Sequence, residues 1–411
     1  ATASTMLHAL ATFVAIAIAI ILFVAVLGSR AEKGPGLHKD FPWQFRLAAK
    51  CRTPLLMFVV IPLSFLQRKY VRTRLWLRLI VRKPGGKRAA VRHAANVEAI
   101  EAQIREWNEA GRPCMLRSAK PNWKSMSLKL GSNKTQCHLI KLGTLDEIIE
   151  IDEAGLTVTC EPNVTMGQLT AVLLPKGLAL QTHVEMEAVT IGGMAMGFGI
   201  ETNSHKFGFF QESVLEYELL NSHGDRHVIT AASDPDLFYA MPWSHGTLGF
   251  LTCIKARLVR VKPYILLVYE PTATPAELTK RLAELGRRSG PEPAPDFVEA
   301  TLFDKNRAVI QRGYYVDTPP DGVHYNRIND FWKPFFFRHV EGFVDAAAPT
   351  QEVMPLEHFL HRFTRSIFWE LEDMIPFANH PVYRCLWGWL GAPEVSLLKL
   401  FQGPVIRRAS A

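Results

Sequence analysis

The first hydrophobic feature of the chain is a block without a period: Met6 to Leu27 (MLHALATFVAIAIAIILFVAVL) runs 22 residues with no Asp, Glu, Lys or Arg. A helix of that length rises about 33 Å, roughly the thickness of a bilayer core. It predicts a membrane anchor over 1–28. A cleaved signal peptide fits less well, because no basic residue precedes the run and the run exceeds the usual apolar region of such signals. A second block, Pro54 to Leu66 (PLLMFVVIPLSFL), is shorter and interrupted by Pro62. It reads equally as an interfacial or re-entrant helix or as a second crossing.

Beyond residue 90 the pattern becomes periodic. In NVEAIEAQIREWNEAG, Val97, Ile100, Ile104 and Trp107 recur at steps of three and four, with Asn96 at a cap position and Gly111 after the end, which predicts a helix. CMLRS (114–118), CHLIKL (137–142), EIIEI (147–151) and LTVTCEP (156–162) predict strands. A helix is expected over Met166 to Leu174, a hairpin from VLEYELLN (214–221) and HVIT, and a helix behind Asp234 and Pro235. LTCIKARLVRVKP (251–263) reads as a long strand. From Pro271 the texture changes: prolines flank the helix-like ELTKRLAELGRR, and the remainder is rich in aromatics. The expected division is an anchor over 1–28, a basic membrane-proximal collar over 29–90, a cofactor domain over 91–265 and a partial substrate or cap domain over 266–411.

Composition sharpens this picture. With 411 residues, 48% hydrophobic and 21% charged, the chain is neither disordered nor a miniature scaffold. Its net charge of +8 is unevenly spread: residues 1–88 hold 15 Lys and Arg against Glu32 and Asp40, and the rest is mildly acidic. Basic residues gathered around apolar blocks suit anionic lipid headgroups, so the expected partner is a lipid bilayer and not nucleic acid. The six cysteines show no C-x-x-C and no His at zinc spacing; no metal site is expected, and the thiols read as free.

The chemistry concentrates in Thr190 to Gly208 (TIGGMAMGFGIETNSHKFG), where Gly192, Gly193, Gly197, Gly199 and Gly208 fall close together. Such density allows sharp bends and lets backbone N–H groups approach a pyrophosphate. It matches neither the dinucleotide fingerprint nor the P-loop. Upstream, EPNVTMGQLTAVLLPKG (161–177) runs from a strand through a polar turn into a helix N-terminus able to hold a phosphate. Downstream, MPWSHGTLGFLTCIKARL (241–258) supplies a third glycine-bearing turn. Three such turns separated by strands imply one extended cofactor lying across several loops.

In their order, EPNVTMGQLT, TIGGMAMGFGIETNSHKFG and DPDLFYAMPWSHGTLGFLT resemble the FAD-binding domain of the vanillyl-alcohol oxidase and p-cresol methylhydroxylase family. FWKPFFFRHVEG (331–342), HRFTRSIFWELEDMIPF (361–377) and VSLLKLFQG (395–403) resemble its delta(24)-sterol reductase branch. The resemblance implies an α+β, two-subdomain flavin fold with an N-terminal transmembrane helix and a truncated cap domain. Flavin contacts would then fall on Thr165, Met166, Gly167, Gln168 and Gly177, on Thr190, Gly192, Gly193, Gly197 and Gly199, on Ser204 and His205, and on Gly246, Thr247 and Gly249. The loop RSAKPNWKSMS (117–127) would match a phosphate-side loop, and it holds no His or Cys for covalent attachment, so FAD is expected to be non-covalent.

The implied activity is a membrane-anchored, FAD-dependent oxidoreductase that passes hydride from NADPH to a sterol side-chain double bond, in the endoplasmic reticulum or another organelle membrane. An isolated double bond needs an acid for one carbon and a hydride for the other. His361, Glu370 and His205 are the candidate proton donors. Phe335, Phe336, Phe337, Phe368 and Trp369 are candidates to face a substrate cation, and Arg365 to hold a phosphate or carboxylate. Two departures from the branch pattern stand out. FLHRFTRS places Phe359, Leu360 and Phe363 where two tyrosines and a histidine are expected, and Glu185-Met186-Glu187-Ala188 stands where two adjacent aspartates are expected. The chain also stops at Ala411, where the branch continues. The alternative is a catalytically degenerate flavin-fold protein serving as a structural subunit of a membrane assembly.

Overall fold

The computed structural model describes residues 53–81, 84–120, 137–197, 199–244, 246–287, 294–394 and 397. The expected anchor over 1–28, most of the first phosphate-side loop and nearly all of VSLLKLFQG lie outside the described residues. The chain divides into two units, one of residues 1–76, 121–132 and 369–411, the other of 77–120 and 133–368.

In the first unit a π-helical turn, Leu56–Val60, leads into helix α1 (Ile61–Val81). The wide turn falls just before Pro62, which cannot donate to the helical ladder. Phe58 packs edge-on against Trp387, 5.7 Å between centroids, and Phe65 likewise against Trp389 at 5.4 Å. Arg68 donates to the carbonyls of Leu390 and Ala392 and pairs with Glu394 at 3.5 Å. The stretch Thr53–Arg74 is long and apolar enough to cross a membrane.

In the second unit helix α2 (Lys87–Glu109) starts nine residues before the expected cap at Asn96. Gly86, at φ 93°, turns the chain in, and the good helix formers Lys87 to Ala90 continue it. Asn96 instead reaches sideways to Thr144 O at 3.2 Å and Glu161 Oε1 at 3.1 Å. Ala89, His93, Val97, Ile100, Ile104 and Trp107 form its buried stripe.

Strands β1 (Leu116–Ser118) and β2 (His138–Ile140) pair in parallel. A larger sheet runs in the order β3-β4-β8-β6-β7, with β3 Ile148–Asp152, β4 Thr157–Cys160, β6 Val214–Leu220, β7 Arg226–Ile229 and β8 Phe250–Arg260. All its pairings are antiparallel, and β5 (Leu178–Leu180) extends β8 off this path. Helix α3 (Met166–Leu173) and the short α4 (Ile191–Ala195) cover it, burying Met166, Leu169, Leu173 and Ile191 against Val158, Ile254 and Ala256. The hairpin β6–β7 and helix α6 (Pro235–Ala240), capped by Asp234, follow the sequence reading; a single-turn α5 (Ser204–Phe207) precedes the hairpin.

Three residues after β8 the chain enters a second sheet, ordered β10-β11-β9-β13-β12. Here β9 is Tyr264–Thr272, β10 Phe297–Asp304, β11 Arg307–Val316, β12 His324–Tyr325 and β13 Thr350–Pro355. Helix α7 (Pro275–Leu285) covers one face through Leu278 and Leu285 on Ala308 and Ile310. On the other, α8 (Phe336–Glu341) and α9 (Leu356–Leu360) bring Phe336, Val340 and Phe359 onto Ile265, Leu267 and Tyr269. A sheet covered on both faces loses strict alternation, which is why YILLVYEPT and RAVIQRGYYV escaped the sequence reading. The fold is mixed α and β.

Candidate functional site

The two upstream glycine-bearing turns meet through an antiparallel bridge between Thr165 and Thr190. Thr165 and Gln168 form a reciprocal capping box at the start of α3, with Thr165 N donating to Gln168 Oε1 at 2.7 Å. Met166 N donates to Val189 O at 2.8 Å and Gly167 N to Glu187 O at 3.1 Å. The first-turn amides expected to hold a phosphate therefore bind the chain's own oxygens. The start of α4 is tied in the same way: Ile191 N to Val164 O, Gly192 N to Pro162 O, and Gly193 N to Thr190 Oγ1 at 3.2 Å.

The glycines serve two ends. A Cβ on Gly192 would lie 2.5 Å from Pro162 Cβ, so this glycine lets α4 press onto the strand-to-helix turn. Among the described residues, a Cβ on Gly193, which is exposed, would meet only Thr190 Oγ1, and one on Gly246, at φ 75°, would meet nothing within 4 Å. These two leave bare backbone accessible to a ligand. The third turn joins the glycine run through Trp243 N to Met196 O at 3.0 Å; Thr247 Oγ1 closes it on Ser244 O at 2.7 Å, with Gly249 against Leu220 O. Gly197 packs over Gly193 O, and Gly177 closes the end of the α3 region at φ 67°.

Ser204 Oγ accepts Glu201 N at 2.9 Å and holds the turn after Gly199. His205 Nε2 lies 2.9 Å from Pro295 O, and Lys206 pairs with Asp296 at 2.7 Å, so this turn is fastened to the entry of β10. Beside it Asn203 donates to Gln181 O at 2.7 Å. Gln181 Oε1, Thr182 Oγ1 and Asn203 Oδ1 are buried and have no hydrogen-bond partner among the described residues. Buried polar atoms left in this condition are costly. Three of them beside an open glycine run suit an elongated ligand rich in hydroxyl and carbonyl groups, as FAD is.

Where the 181–203 segment meets the second sheet, Arg362 is the centre of a buried ionic cluster. Its Nη2 donates to Glu185 Oε1 at 2.9 Å and to Glu299 Oε2 at 2.8 Å. The rings of Phe359, Phe363 and Phe336 surround the guanidinium at 4.2, 5.1 and 5.4 Å. Glu185 supplies a carboxylate to Arg362, and Phe359 and Phe363 supply its apolar walls. Burial, then the charge of Glu185, push the Glu201 carboxyl up to about 10. Glu299 is also raised, by burial against the opposing pull of Arg362.

His361 is buried next to this cluster, its ring 5.5 Å from that of His183, which in turn lies 3.0 Å from Thr170 Oγ1. Burial and the neighbouring His361 push His183 down to about 3, so its imidazole is neutral. Glu370 is exposed at the start of helix α10 (Glu370–Met374), in the other unit. Arg365, named from sequence for a phosphate or carboxylate, is engaged by the chain's own backbone. It gathers backbone carbonyls, Ile328 O at 2.9 Å, Phe331 O at 2.9 Å and Lys333 O at 2.8 Å, and so shapes the FWKPFF loop. Phe335 and Phe337 stand against Arg365 and Arg338, so these faces already meet cations of the chain. The residues sequence reasoning missed, Glu201, Glu299, His183 and Arg362, carry no local motif; only the odd acidic run at Glu185 pointed to the place.

Residues 88–230 match a family of FAD binding domains. The chain is 38% identical over 349 residues to human delta(24)-sterol reductase, covering 85% of this chain and 66% of that one. The delta(24)-sterol reductase of Pisum sativum is 32% identical over 377 residues, covering 87% and 64%. An FAD-linked oxidoreductase of Dictyostelium discoideum is 28% identical over 190 residues, 45% of this chain and 41% of that one. The chain thus spans about two thirds of the length of the human and pea relatives.

Proposed function

The chain belongs to the delta(24)-sterol reductase family, and from that premise we propose that it is an FAD-dependent reductase of an isolated double bond in a sterol-like apolar substrate, with NADPH as the source of electrons. The observation that carries the reading is the company kept by the open glycine run. Gly193 and Gly246 offer bare backbone, and Gln181, Thr182 and Asn203 offer buried polar atoms in need of partners. Bound FAD supplies a hydride. What the protein supplies is a polar bed for the cofactor, a proton, and surroundings poor in water.

On the same reading the protein works at a membrane of the endoplasmic reticulum. Leu63, Leu66 and Tyr70 lie on one stripe of α1 and are 42, 61 and 67% exposed, with Lys69, Arg72 and Arg74 also exposed around them. Val382 and Leu386 of helix α11 (Pro381–Trp387) and Trp389 are also open. An apolar stripe edged by basic residues suits the plane of an anionic bilayer.

The test is the visible spectrum of the protein purified in mild detergent. Flavin absorbance is expected, bleaching under anaerobic NADPH and returning on addition of a sterol with a side-chain double bond. Flavin that is absent, or bound and never reduced, would favour the structural-subunit alternative. Gly193→Val is expected to lose the flavin, because a branched side chain there covers the open backbone and presses on Thr190; wild-type flavin content in that variant would sink the cradle.

A further inference from the structure

A cleft of about 390 Å³ opens between the C-terminal half of α2 and the turn that joins β6 to β7. Glu101, Arg105 and Asn108 of α2 line it, with Arg112 just past the helix and His223 and Asp225 on the turn. None of these residues belongs to the three glycine-bearing turns. The cleft is also on a different face of the sheet from α3 and α4. Leu220 packs among the residues under α2, whereas Leu219 packs with Met166 and Ile191, and successive strand residues point to opposite faces.

Arg112 is held in place on several sides. Its φ of 57° is a conformation that a side chain makes costly. The guanidinium lies over the Trp107 ring at 5.5 Å, Nε donates to Asn108 Oδ1 at 2.8 Å, and Nη2 donates to His223 Nδ1 at 2.8 Å. Asn108 in turn donates to Ser222 O at 3.0 Å, which ties the helix to the turn. Because His223 accepts at Nδ1, its ring hydrogen is on Nε2, which is a further donor. Among the described residues neither Arg105 nor Arg112 is paired with a carboxylate. Two guanidinium groups without an anion, one of them fixed in direction, are suited to a phosphate. The lining carries acids as well. Glu101 precedes Asn108 by seven residues, about 10 Å along the helix, and Asp225 stands on the facing turn. These two charges oppose a bare anion, but carboxylates accept readily from the hydroxyl groups of a sugar.

We propose that this cleft is a second ligand site, for a phosphate monoester carried on a sugar or polyol. Arg105, Arg112 and His223 take the phosphate, and Glu101 and Asp225 take hydroxyl groups. Its volume is within the range of small-molecule sites. The same chemistry occurs on free sugar phosphates and on the headgroups of phosphorylated inositol lipids. The site stands independently of the reductase reading, and no bond is made or broken in it.

The experiment uses the full chain in mild detergent and follows binding by calorimetry. Ribose 5-phosphate and inositol 1,4-bisphosphate are the probes, and inorganic phosphate and ribose the controls. Saturable binding of a phosphorylated probe is expected, about tenfold or more tighter than either control. Arg105→Gln and Arg112→Gln should each weaken it about tenfold. Glu101→Gln should weaken the probe severalfold without weakening inorganic phosphate. If Arg112→Gln disturbs the end of α2, Arg105→Gln decides the same question, since that side chain bonds to nothing among the described residues. Vesicles of phosphatidylcholine with phosphatidylinositol 4-phosphate, set against vesicles of equal charge with phosphatidylserine, separate the two sources. A preference for the first that Arg105→Gln abolishes assigns the lipid headgroup; binding of the soluble probes without that preference assigns a free sugar phosphate. Absence of saturable binding to both soluble probes overturns the proposal. So does inorganic phosphate binding as tightly as the probes, or probe binding that the arginine variants leave unchanged.

Discussion

Two buried ionic clusters in the larger unit use the same kinds of residue to opposite effect. Around His93, the imidazole bridges Glu161 at 2.9 Å and Glu218 at 3.0 Å. Glu218 also accepts from Arg226 and from Thr252 Oγ1 at 2.6 Å, and Glu161 from the Glu147 amide at 2.7 Å. Burial opposes the charge on His93, yet the bonds to the two carboxylates win and raise it to about 9. Burial likewise opposes the charge on Glu218, and its donors win and lower it to about 2. Around Arg362 a single cation faces several carboxyls, and burial, then the charge of Glu185, raise Glu201 to about 10. Where buried acids are matched by cations and donors they stay ionised and bind the core together; where one cation serves several, burial opposes the charge on the remaining acid. The first arrangement is structural.

The largest effect expected from breaking this comparison is at its centre. Arg362→Met would leave Glu185 and Glu299 without the cation they share, and a buried pair broken from one side costs about 3–5 kcal/mol. Urea unfolding at neutral pH should show that loss. Relief of most of it in the double variant with Glu185→Gln would confirm that the cost is the stranded carboxylate; an equal loss in both would assign it to packing of Phe336, Phe359 and Phe363 instead.

The two clusters should also answer pH with opposite signs when their titrating groups are removed. His93 binds its proton more tightly in the fold than at its ordinary 6.5, so its contribution is full below 6.5 and is lost as pH rises toward 9. His93→Gln should therefore lose on the order of 3 kcal/mol near pH 6 and progressively less toward about pH 9. Glu201 is raised from 4.5, so the fold must retain a proton that the unfolded chain releases, and this costs stability as pH rises from 4.5 toward 10. Glu201→Gln removes that cost. Discounted for its partial exposure, the variant should gain on the order of 2 kcal/mol over wild type by about pH 8. Thermal melts across pH read both. Parallel curves for wild type and Glu201→Gln would mean that Glu201 holds no extra proton.

The local elements were written plainly in the sequence, while the cluster was not. Alternation gave β4 and the β6–β7 hairpin, and Asp234 with Pro235 marked α6, because each depends on neighbours in the chain. The glycine run announced tight backbone, and it could not say that Gly192 serves Pro162 whereas Gly193 lies open. Arg362 sits 177 residues from Glu185 and 63 from Glu299. No spacing rule reaches that far, and charge counting alone reads such residues as solvated. The proton donors named from sequence were histidines and a glutamate near aromatic runs. Glu201 was passed over inside the glycine stretch because its burial depends on residues far away in the chain.

The smallest expected effect is the control that makes the pH comparison readable. Thr190 caps α4 with a neutral bond, Gly193 N to Thr190 Oγ1 at 3.2 Å, and no ionisable group enters it. Thr190→Ala should cost about 1 kcal/mol, the usual worth of such a cap. Because nothing in the cap titrates, that loss should stay constant across the pH range in which His93→Gln and Glu201→Gln diverge. Loosening the first turn of α4 also releases the backbone at Gly193, so FAD affinity should fall severalfold, measured by fluorescence on titration of the flavin-free protein. A loss of stability that varied with pH would mean that the glycine run and the Arg362 cluster are energetically coupled through the 185–201 segment. In that case the two clusters would differ in more than their supply of donors, and the Glu201 proton would report on the state of the glycine run itself.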